Sequence, residues 1–175
     1  MKKLYLLRHA KSSWDEPALP DFQRPLAERG KSAAPRMGDY LKKEGLIPDA
    51  VLCSGARRAV ETWQSIAPHF PGARVQIDDT LYMASPDAMV SWLQRLPEDV
   101  NTVLMIGHNP GFEELAQQLA GDGKKKALKR IRKKYPTGAL AVIQFDTDSW
   151  TEVGTAGGYL ERFIRPSDLT GKDDE

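Results

Sequence analysis

The chain alternates short, nearly continuous apolar runs with longer segments in which apolar residues recur every three or four positions. Nearly continuous apolar runs are typical of strands that are buried on both faces of a sheet. We therefore predict buried strands at residues 4–7, 49–53, 102–106 and 139–145, and a shorter strand at residues 74–77. Weaker patterns at residues 150–153 and 159–164 favour two edge strands.

Helical spacing marks most of the segments between these strands. The residue types that often begin helices occur at Ser32, at Ser85 followed by Pro86, and at Asn109 followed by Pro110. Gly45 predicts the end of the first helix. Alternating strands and helices predict an α/β fold, with a mostly parallel central sheet and helices on both faces. We expect one domain over residues 1–170 and a frayed tail at residues 171–175.

Composition narrows the possible classes of partner. The 25 lysines and arginines nearly balance the 24 aspartates and glutamates, so the formal net charge of +1 indicates no particular partner. No apolar run approaches the roughly 20 residues that a membrane helix needs, and the N-terminus lacks a signal-peptide pattern. The single cysteine, Cys53, fits a reducing compartment. We therefore expect a cytoplasmic protein that does not insert into membranes.

One segment departs from this even balance of charge. Residues 124–134 contain eight lysines and arginines. We interpret this basic run as a solvated helix face in preference to an anion-attracting rim near a functional site. Binding of nucleic acid is disfavoured for two reasons. Only one aromatic residue, Tyr135, lies near this run in the sequence, and the chain as a whole is not basic.

Polar residues follow three of the predicted strands at the point where each strand ends. Arg8 and His9 follow the first strand. Ser54 follows the second, with Arg58 one helical turn further on, and His108 follows the fourth. Because the carboxyl ends of parallel strands share one edge of a sheet, we expect these side chains to converge. Arginines bind a phosphoryl group through paired hydrogen bonds, one neutral imidazole can attack phosphorus, and a second can donate to a phosphoryl oxygen.

These residues resemble the signatures of a known family. Leu7-Arg8-His9-Ala10 resembles the Arg-His-Gly signature of the histidine phosphatase superfamily, which includes the phosphoglycerate mutases. The second signature of the family is similar to Ser54 with Arg58-Ala59 and Thr62. The third is similar to Gly107-His108-Asn109-Pro110-Gly111. The resemblance covers roughly residues 3–120 and implies a phosphoglycerate mutase-like fold. It also implies that His9 is phosphorylated in the reaction, within a pocket completed by Arg8, Arg58 and His108.

A further segment resembles one branch of this superfamily. Asp21-Phe22-Gln23-Arg24-Pro25-Leu26, with Gly30, is similar to a segment of the smaller SixA-type phosphohistidine phosphatases, in which Arg24 would point toward the site. The short chain without a large inserted lid also fits that branch. We count Arg24, Ser54 and Lys11 as candidate substrate-binding residues.

Some positions depart from the family pattern. Ala10 replaces the usual glycine, and Asp15 stands where the mutases have asparagine. The acidic proton donor of the mutases has no clear counterpart, although Asp79 is the nearest candidate by sequence. A phosphoglycerate mutase would need both that donor and a closing lid.

The sequence thus predicts a phosphatase that works through a phosphohistidine intermediate, on a phosphohistidine protein or an activated phosphomonoester. The alternatives are a mutase-like enzyme or small-molecule phosphomonoesterase, and a non-catalytic phosphate-binding module. A cysteine phosphatase would need an arginine six positions after Cys53, where the chain has Ala59.

The sequence also predicts that neither a metal nor a cofactor takes part. Its three histidines, His9, His69 and His108, show no paired spacing of the kind found in metal sites. We expect a structural or surface role for His69. The oligomeric state is left open.

Overall fold

A computed structural model describes residues 1–170 of the chain. Within them, seven strands form one sheet in the order β3-β2-β4-β1-β6-β7-β5. The strands are β1 (Lys2–Arg8), β2 (Ala50–Ser54), β3 (Arg74–Asp78), β4 (Thr102–Gly107), β5 (Ala120–Gly123), β6 (Leu140–Phe145) and β7 (Gly158–Ile164). Only β6 runs against the others, since it pairs antiparallel with both β1 and β7. The predicted mostly parallel sheet is confirmed.

Helices cover both faces of this sheet, as predicted. They are α1 (Glu28–Lys43), α2 (Arg57–Ile66), α3 (Pro86–Gln94), α4 (Gly111–Leu119), α5 (Lys125–Lys133) and α6 (Pro166–Thr170). Successive residues of β1 point to opposite faces. Leu4 and Leu6 join a core that includes residues of α3, α4 and α5, whereas Tyr5 and Leu7 join a core with residues of α1 and α2. This alternation is why the buried strands read as continuous apolar runs.

The first helix begins earlier than predicted, because its start is fixed by a tertiary contact. α1 begins at Glu28 after Ala27, not after Ser32 as predicted. The Ala27 N–H donates to the Lys11 carbonyl oxygen at 2.9 Å, which holds the helix against the segment that follows β1. Its end agrees with the prediction, because Gly45 adopts a positive φ of 70° just beyond it.

The sequence also predicts capping residues for the starts of α3 and α4. The prediction for Ser85 is confirmed, since its side chain accepts a hydrogen bond from the Ala88 N–H at the start of α3. The prediction for Asn109 was wrong by one residue, because α4 begins at Gly111 with Pro110 in the capping position. The Asn109 side-chain oxygen still accepts from the Glu113 N–H at 3.2 Å.

Of the two predicted edge strands, the strand at residues 159–164 is confirmed as β7, although not at an edge, and the strand at residues 150–153 was wrong. Residues Trp150–Glu152 form a short 3-10 helix, whose Trp150 is fully buried and donates to the Val100 carbonyl oxygen. β7 lies inside the sheet, and the edge beyond it is β5, whose glycine-rich sequence shows no strand pattern. At Gly121 a Cβ would lie 2.0 Å from the Ala156 carbonyl oxygen, so close backbone packing places this strand.

None of the helices in residues 1–170 combines the length and hydropathy needed to cross a membrane. The predicted frayed tail, residues 171–175, lies outside the described part of the chain.

Candidate active site

The three strand ends that carry the candidate residues meet at one edge of the sheet. β2, β4 and β1 are neighbours and run parallel, and Arg8 pairs with Gly107 at the carboxyl ends of β1 and β4. The rings of His9 and His108 consequently lie 5.2 Å apart between their centroids. The convergence expected from the sequence is present for both histidines and for Arg58, whose Nε lies 3.3 Å from Nε2 of His9.

The contacts of His9 define its tautomer. Its Nδ1 lies 2.7 Å from the Ala10 carbonyl oxygen. A carbonyl oxygen only accepts, so Nδ1 carries the proton and Nε2 presents a lone pair, to which the Nε–H of Arg58 donates. Burial lowers the pKa of His9 well below its usual range, and the positive charges of Arg58 and Arg8 act in the same direction. His9 is therefore neutral near pH 7, as a nucleophile at Nε2 requires.

His108 is held by the end of the neighbouring strand. Its Nε2 lies 2.8 Å from the Ser54 hydroxyl oxygen, and that oxygen also accepts from the Ala56 N–H. The Ser54 hydroxyl proton can therefore be donated to Nε2 of His108, which leaves the proton of the neutral ring on Nδ1. This Nδ1 is buried without a partner among the described residues. Burial, followed by Arg58, lowers the pKa of His108 to about 3.

Arg8 is anchored from the segment before β6. Its Nη1 donates to the Tyr135 carbonyl oxygen at 2.8 Å, and Asn109 donates to the same oxygen. Its Nε is buried without a partner among residues 1–170. Buried donors that lack a protein acceptor are costly, and an anion in the pocket would satisfy them.

A carboxylate organises the arginines. Asp21 accepts from Arg58 Nη2 at 3.0 Å through Oδ2 and from Arg24 Nη1 at 2.7 Å through Oδ1, and its backbone carbonyl accepts from Arg58 Nη1 at 2.7 Å. The Tyr82 hydroxyl donates to the same carboxylate. The Tyr82 hydrogen bond, with those from the two arginines, lowers the pKa of Asp21 below its usual range. Asp21 is therefore ionised near pH 7.

The three candidate substrate-binding residues occupy different places. Ser54 contacts His108 as described above. Arg24 reaches Asp21 and the hydroxyl of Ser12 rather than His9 itself. The contact that the structure shows for Lys11 is made by its backbone carbonyl, which accepts from Ala27.

Sequence reasoning did not identify Tyr82 and Tyr135, and it named Asp21 without a role. Tyr82 follows a short 3-10 helix after β3, and its ring packs edge-on against His108 with centroids 5.3 Å apart. Only the resemblance of the segment around Asp21 to SixA-type proteins signalled its position. No local pattern distinguishes either tyrosine, because each reaches the site through a contact that is distant in sequence.

The sequence also draws attention to Cys53 as a nucleophile and to Asp79 as a proton donor. Cys53 is fully buried, and burial raises the pKa of its thiol to about 12, so it is not an activated thiolate. Asp79 lies against the end of β2, where a Cβ added to Gly55 would be 1.8 Å from its Oδ1. Among residues 1–170, no group of three or more histidine, cysteine, aspartate or glutamate side chains could hold a metal ion.

Comparison with known proteins finds relatives of this chain in sequence and in structure. The sequence model of the histidine phosphatase superfamily (branch 1) matches residues 4–82. An uncharacterized chloroplastic protein of Arabidopsis thaliana is 34% identical over 179 residues, covering 94% of this chain and 78% of that protein. An uncharacterized protein of Mycobacterium tuberculosis is 36% identical over 162 residues, covering 91% of this chain and 99% of that protein.

Two solved structures extend the likeness to the fold. Both are proteins assigned as the phosphohistidine phosphatase SixA. The one from Agrobacterium tumefaciens has a TM-score of 0.80 and 29% identity, and covers 94% of this chain and 98% of its own. The one from Nakamurella has a TM-score of 0.82 and 27% identity, and covers 94% and 96%. The chain belongs to the histidine phosphatase superfamily, and its fold is that of the SixA proteins.

Proposed function

We propose that this protein is a phosphatase that transfers the phosphoryl group of its substrate to Nε2 of His9 and then to water. The observation that carries the proposal is the hydrogen bonding of His9. Its Nδ1–H is committed to the Ala10 carbonyl, and its Nε2 lone pair lies 3.3 Å from Arg58. Membership of the histidine phosphatase superfamily supports the same chemistry.

The proposed reaction has two displacements at phosphorus. In the first, the Nε2 lone pair of His9 forms a bond to phosphorus while the bond to the leaving group breaks, and the leaving group takes up a proton from solvent water. The Nε–H of Arg58 then donates to a phosphoryl oxygen instead of Nε2, and Arg8 and His108 supply further donors. In the second, water attacks phosphorus, the N–P bond breaks, and inorganic phosphate leaves neutral His9.

The phosphoenzyme can be tested directly. Wild-type protein incubated with ³²P-labelled substrate and quenched in alkali, which preserves phosphoramidates, is expected to retain label. His9→Ala is expected to lose both label and turnover. His69→Ala is a matched control, because His69 pairs with Asp39 at 2.9 Å outside the site. Hydrolysis by His9→Ala at the wild-type rate would refute the proposal.

We further propose that the substrate is phosphohistidine on a protein or an activated ester such as an aryl phosphate. Release of an alkoxide needs a proton donor, which contributes typically about 10²–10⁴-fold. The carboxylate placed among the site residues, Asp21, has a lowered pKa and therefore does not supply a proton near neutral pH. An imidazole leaving group is easily protonated near neutral pH.

The measurement is kcat/KM at one pH for a phosphohistidine peptide, an aryl phosphate and an alkyl phosphate. We expect the first two to exceed the alkyl phosphate. Better turnover of the alkyl phosphate would reveal an acid, and single replacements of Asp15, Asp21 and Asp79 would locate it. Interconversion of phosphoglycerates would favour the mutase alternative, and phosphate binding without turnover would favour the non-catalytic one.

No metal is needed in this proposal, because the arginines and His108 supply the donors that metal ions provide in other phosphoryl-transfer sites. Dialysis against a chelator is expected to leave the rate unchanged, and a loss restored by Mg²⁺ or Zn²⁺ would contradict this. We propose the cytoplasm as the compartment, in view of the buried free thiol of Cys53.

A further inference from the structure

Helix α5 concentrates positive charge in a chain that is otherwise balanced. Residues 124–134 contain no aspartate or glutamate. The helix buries two of its residues, Ala127 and Ile131. Seven basic side chains of this run are exposed, and together we call them the α5 basic face: Lys124, Lys125, Lys126, Lys129, Arg132, Lys133 and Lys134.

The C-terminal end of α5 leads to the edge of the sheet that holds the active site. The helix begins just after Gly123 of β5, which is in register with Leu160 of β7 and, through β6, with the middle of β1. After α5 the chain enters antiparallel β6, whose first residue pairs beside Leu7 at the carboxyl edge. The residue after the α5 basic face is Tyr135, whose carbonyl oxygen anchors Arg8. A nine-residue helix is about 14 Å long, so the α5 basic face extends from the pocket over a distance much larger than a phosphate group.

Helix stability does not account for these charges. Basic residues in the last turn complement the helix dipole, but Lys125 and Lys126 lie in the first turn, where positive charge is unfavourable. Lys129 lies four residues from both Lys125 and Lys133, and like charges at this spacing repel. In the described part of the chain, the ion pair that α5 makes joins Arg130 to Asp168. The α5 basic face thus carries repulsion that an anionic partner would relieve.

We propose that the α5 basic face is a docking surface for an acidic protein segment that carries the phosphohistidine substrate, an inference that rests on the proposed phosphatase function. Its length, leading away from the pocket, suits a polypeptide better than a small phosphomonoester. Nucleic acid is the less suitable occupant, because Tyr135, the aromatic residue that follows the helix, is 1% exposed and offers no surface for base stacking.

The test compares two phosphohistidine peptides that differ only in their flanks, glutamates in one and glutamines in the other. Wild-type protein is expected to prefer the acidic peptide by about tenfold in kcat/KM at low ionic strength. Because salt screens exposed charges, this preference is expected to disappear near 0.5 M NaCl. Hydrolysis of an aryl phosphate, which has no peptide flanks, is measured as a control for the activity of the pocket itself.

Two double variants locate the effect. Lys129→Glu/Lys133→Glu is expected to reduce the preference to less than about twofold while the aryl phosphate is still hydrolysed. Lys42→Glu/Lys43→Glu makes the same change of charge in the last turn of α1, which leads to the opposite edge of the sheet, and is expected to keep the preference. Equal kcat/KM for the two peptides in wild-type protein, or an unchanged preference in the α5 variant, would overturn the proposal.

A binding measurement separates this inference from the proposed function. His9→Ala is titrated into a fluorescent, unphosphorylated glutamate-rich peptide and into a 20-base-pair DNA duplex at physiological salt. If the protein binds this peptide and the α5 double variant does not, the result supports docking even if no substrate is turned over. Binding of the duplex without the peptide would overturn the proposal in favour of nucleic acid.

Discussion

Arg58 is the residue on which the proposed chemistry depends most closely after His9. Its guanidinium donates to Nε2 of His9 through Nε and to Asp21 through both Nη atoms. Lysine preserves the charge but has no planar fork that can reach these acceptors together. The contribution of Arg58 is therefore one of geometry as well as charge.

We expect Arg58→Ala to lower kcat/KM by about 10²–10³-fold, the effect of losing one preorganised donor, and Arg58→Lys to recover only a small part of that loss. The measurement is steady-state kinetics with an aryl phosphate. Arg57→Lys is the matched control, because Arg57 is exposed and pairs with Glu61. Near-normal activity of Arg58→Lys would show that charge alone suffices.

Asp21 acts on the reaction through Arg58, so we regard it as a positioning residue. Asp21→Asn keeps the shape but removes the charge that holds Arg58 and Arg24, and hydrogen bonds to charged groups contribute about 1.5–3 kcal/mol. We expect kcat to fall by about tenfold or more. KM for an anionic substrate is expected to stay the same or decrease, because a repelling carboxylate near the pocket is gone.

The separate values of kcat and KM check this prediction, with Asp39→Asn as a control at an exposed carboxylate that contacts His69 outside the site. An unchanged kcat in Asp21→Asn would mean that Arg58 is positioned by its other contacts.

At the scale of elements, the segment that follows β1 is held in place by α1. A Cβ at Gly30 would lie 2.2 Å from the Lys11 carbonyl oxygen, two residues after His9. Gly30→Ala must therefore displace either the helix or this segment, which we expect to cost about 1–3 kcal/mol in the free energy of unfolding and to lower kcat/KM. Gly72→Ala is the control, because no atom lies within 4 Å of its added Cβ. Equal stability of the two variants would contradict the prediction.

The same contact explains why the start of α1 was difficult to predict. Ser32 provides a suitable local capping signal, yet the helix begins five residues earlier than that signal predicts, where Ala27 and Gly30 pack on the backbone of Lys11. In contrast, Ser85 caps α3 as predicted, because its side chain meets the Ala88 N–H within one helical turn. Local signals succeeded where the bonding partner was local.

For the whole molecule, the two buried histidines link stability to pH. Burial lowers the pKa of His9 and lowers that of His108 to about 3, whereas both side chains titrate near 6.5 in the unfolded chain. Below pH 6.5 the unfolded state therefore binds protons that the folded state does not, so the free energy of unfolding falls as pH falls. Above pH 6.5 both states are neutral at these positions and this dependence ends.

Urea unfolding at intervals from pH 7.5 to pH 4.5 is expected to show this decline. His108→Gln, which cannot titrate, is expected to show a shallower slope over the same range. A wild-type free energy of unfolding that is constant between pH 7 and pH 5 would contradict the assignment of neutral buried histidines.

The sequence by itself determined the approximate architecture and predicted which residues meet at the candidate site. Continuous apolar runs predicted β1, β2, β4 and β6, because burial on both faces leaves a local pattern. Arg8, His9, Arg58 and His108 could be placed at one edge, because parallel strands end on the same side of a sheet.

Tertiary structure decided how these residues are held. Tyr82 contacts Asp21 across 61 positions, and the carbonyl oxygen of Tyr135 contacts Arg8 across 127. It also decided that glycine-rich β5 forms the sheet edge, and that the chain returns from α5 to the pocket at Tyr135. Such contacts depend on strand order and on close approach of backbones, which are properties of the assembled sheet and leave no periodic pattern in the chain.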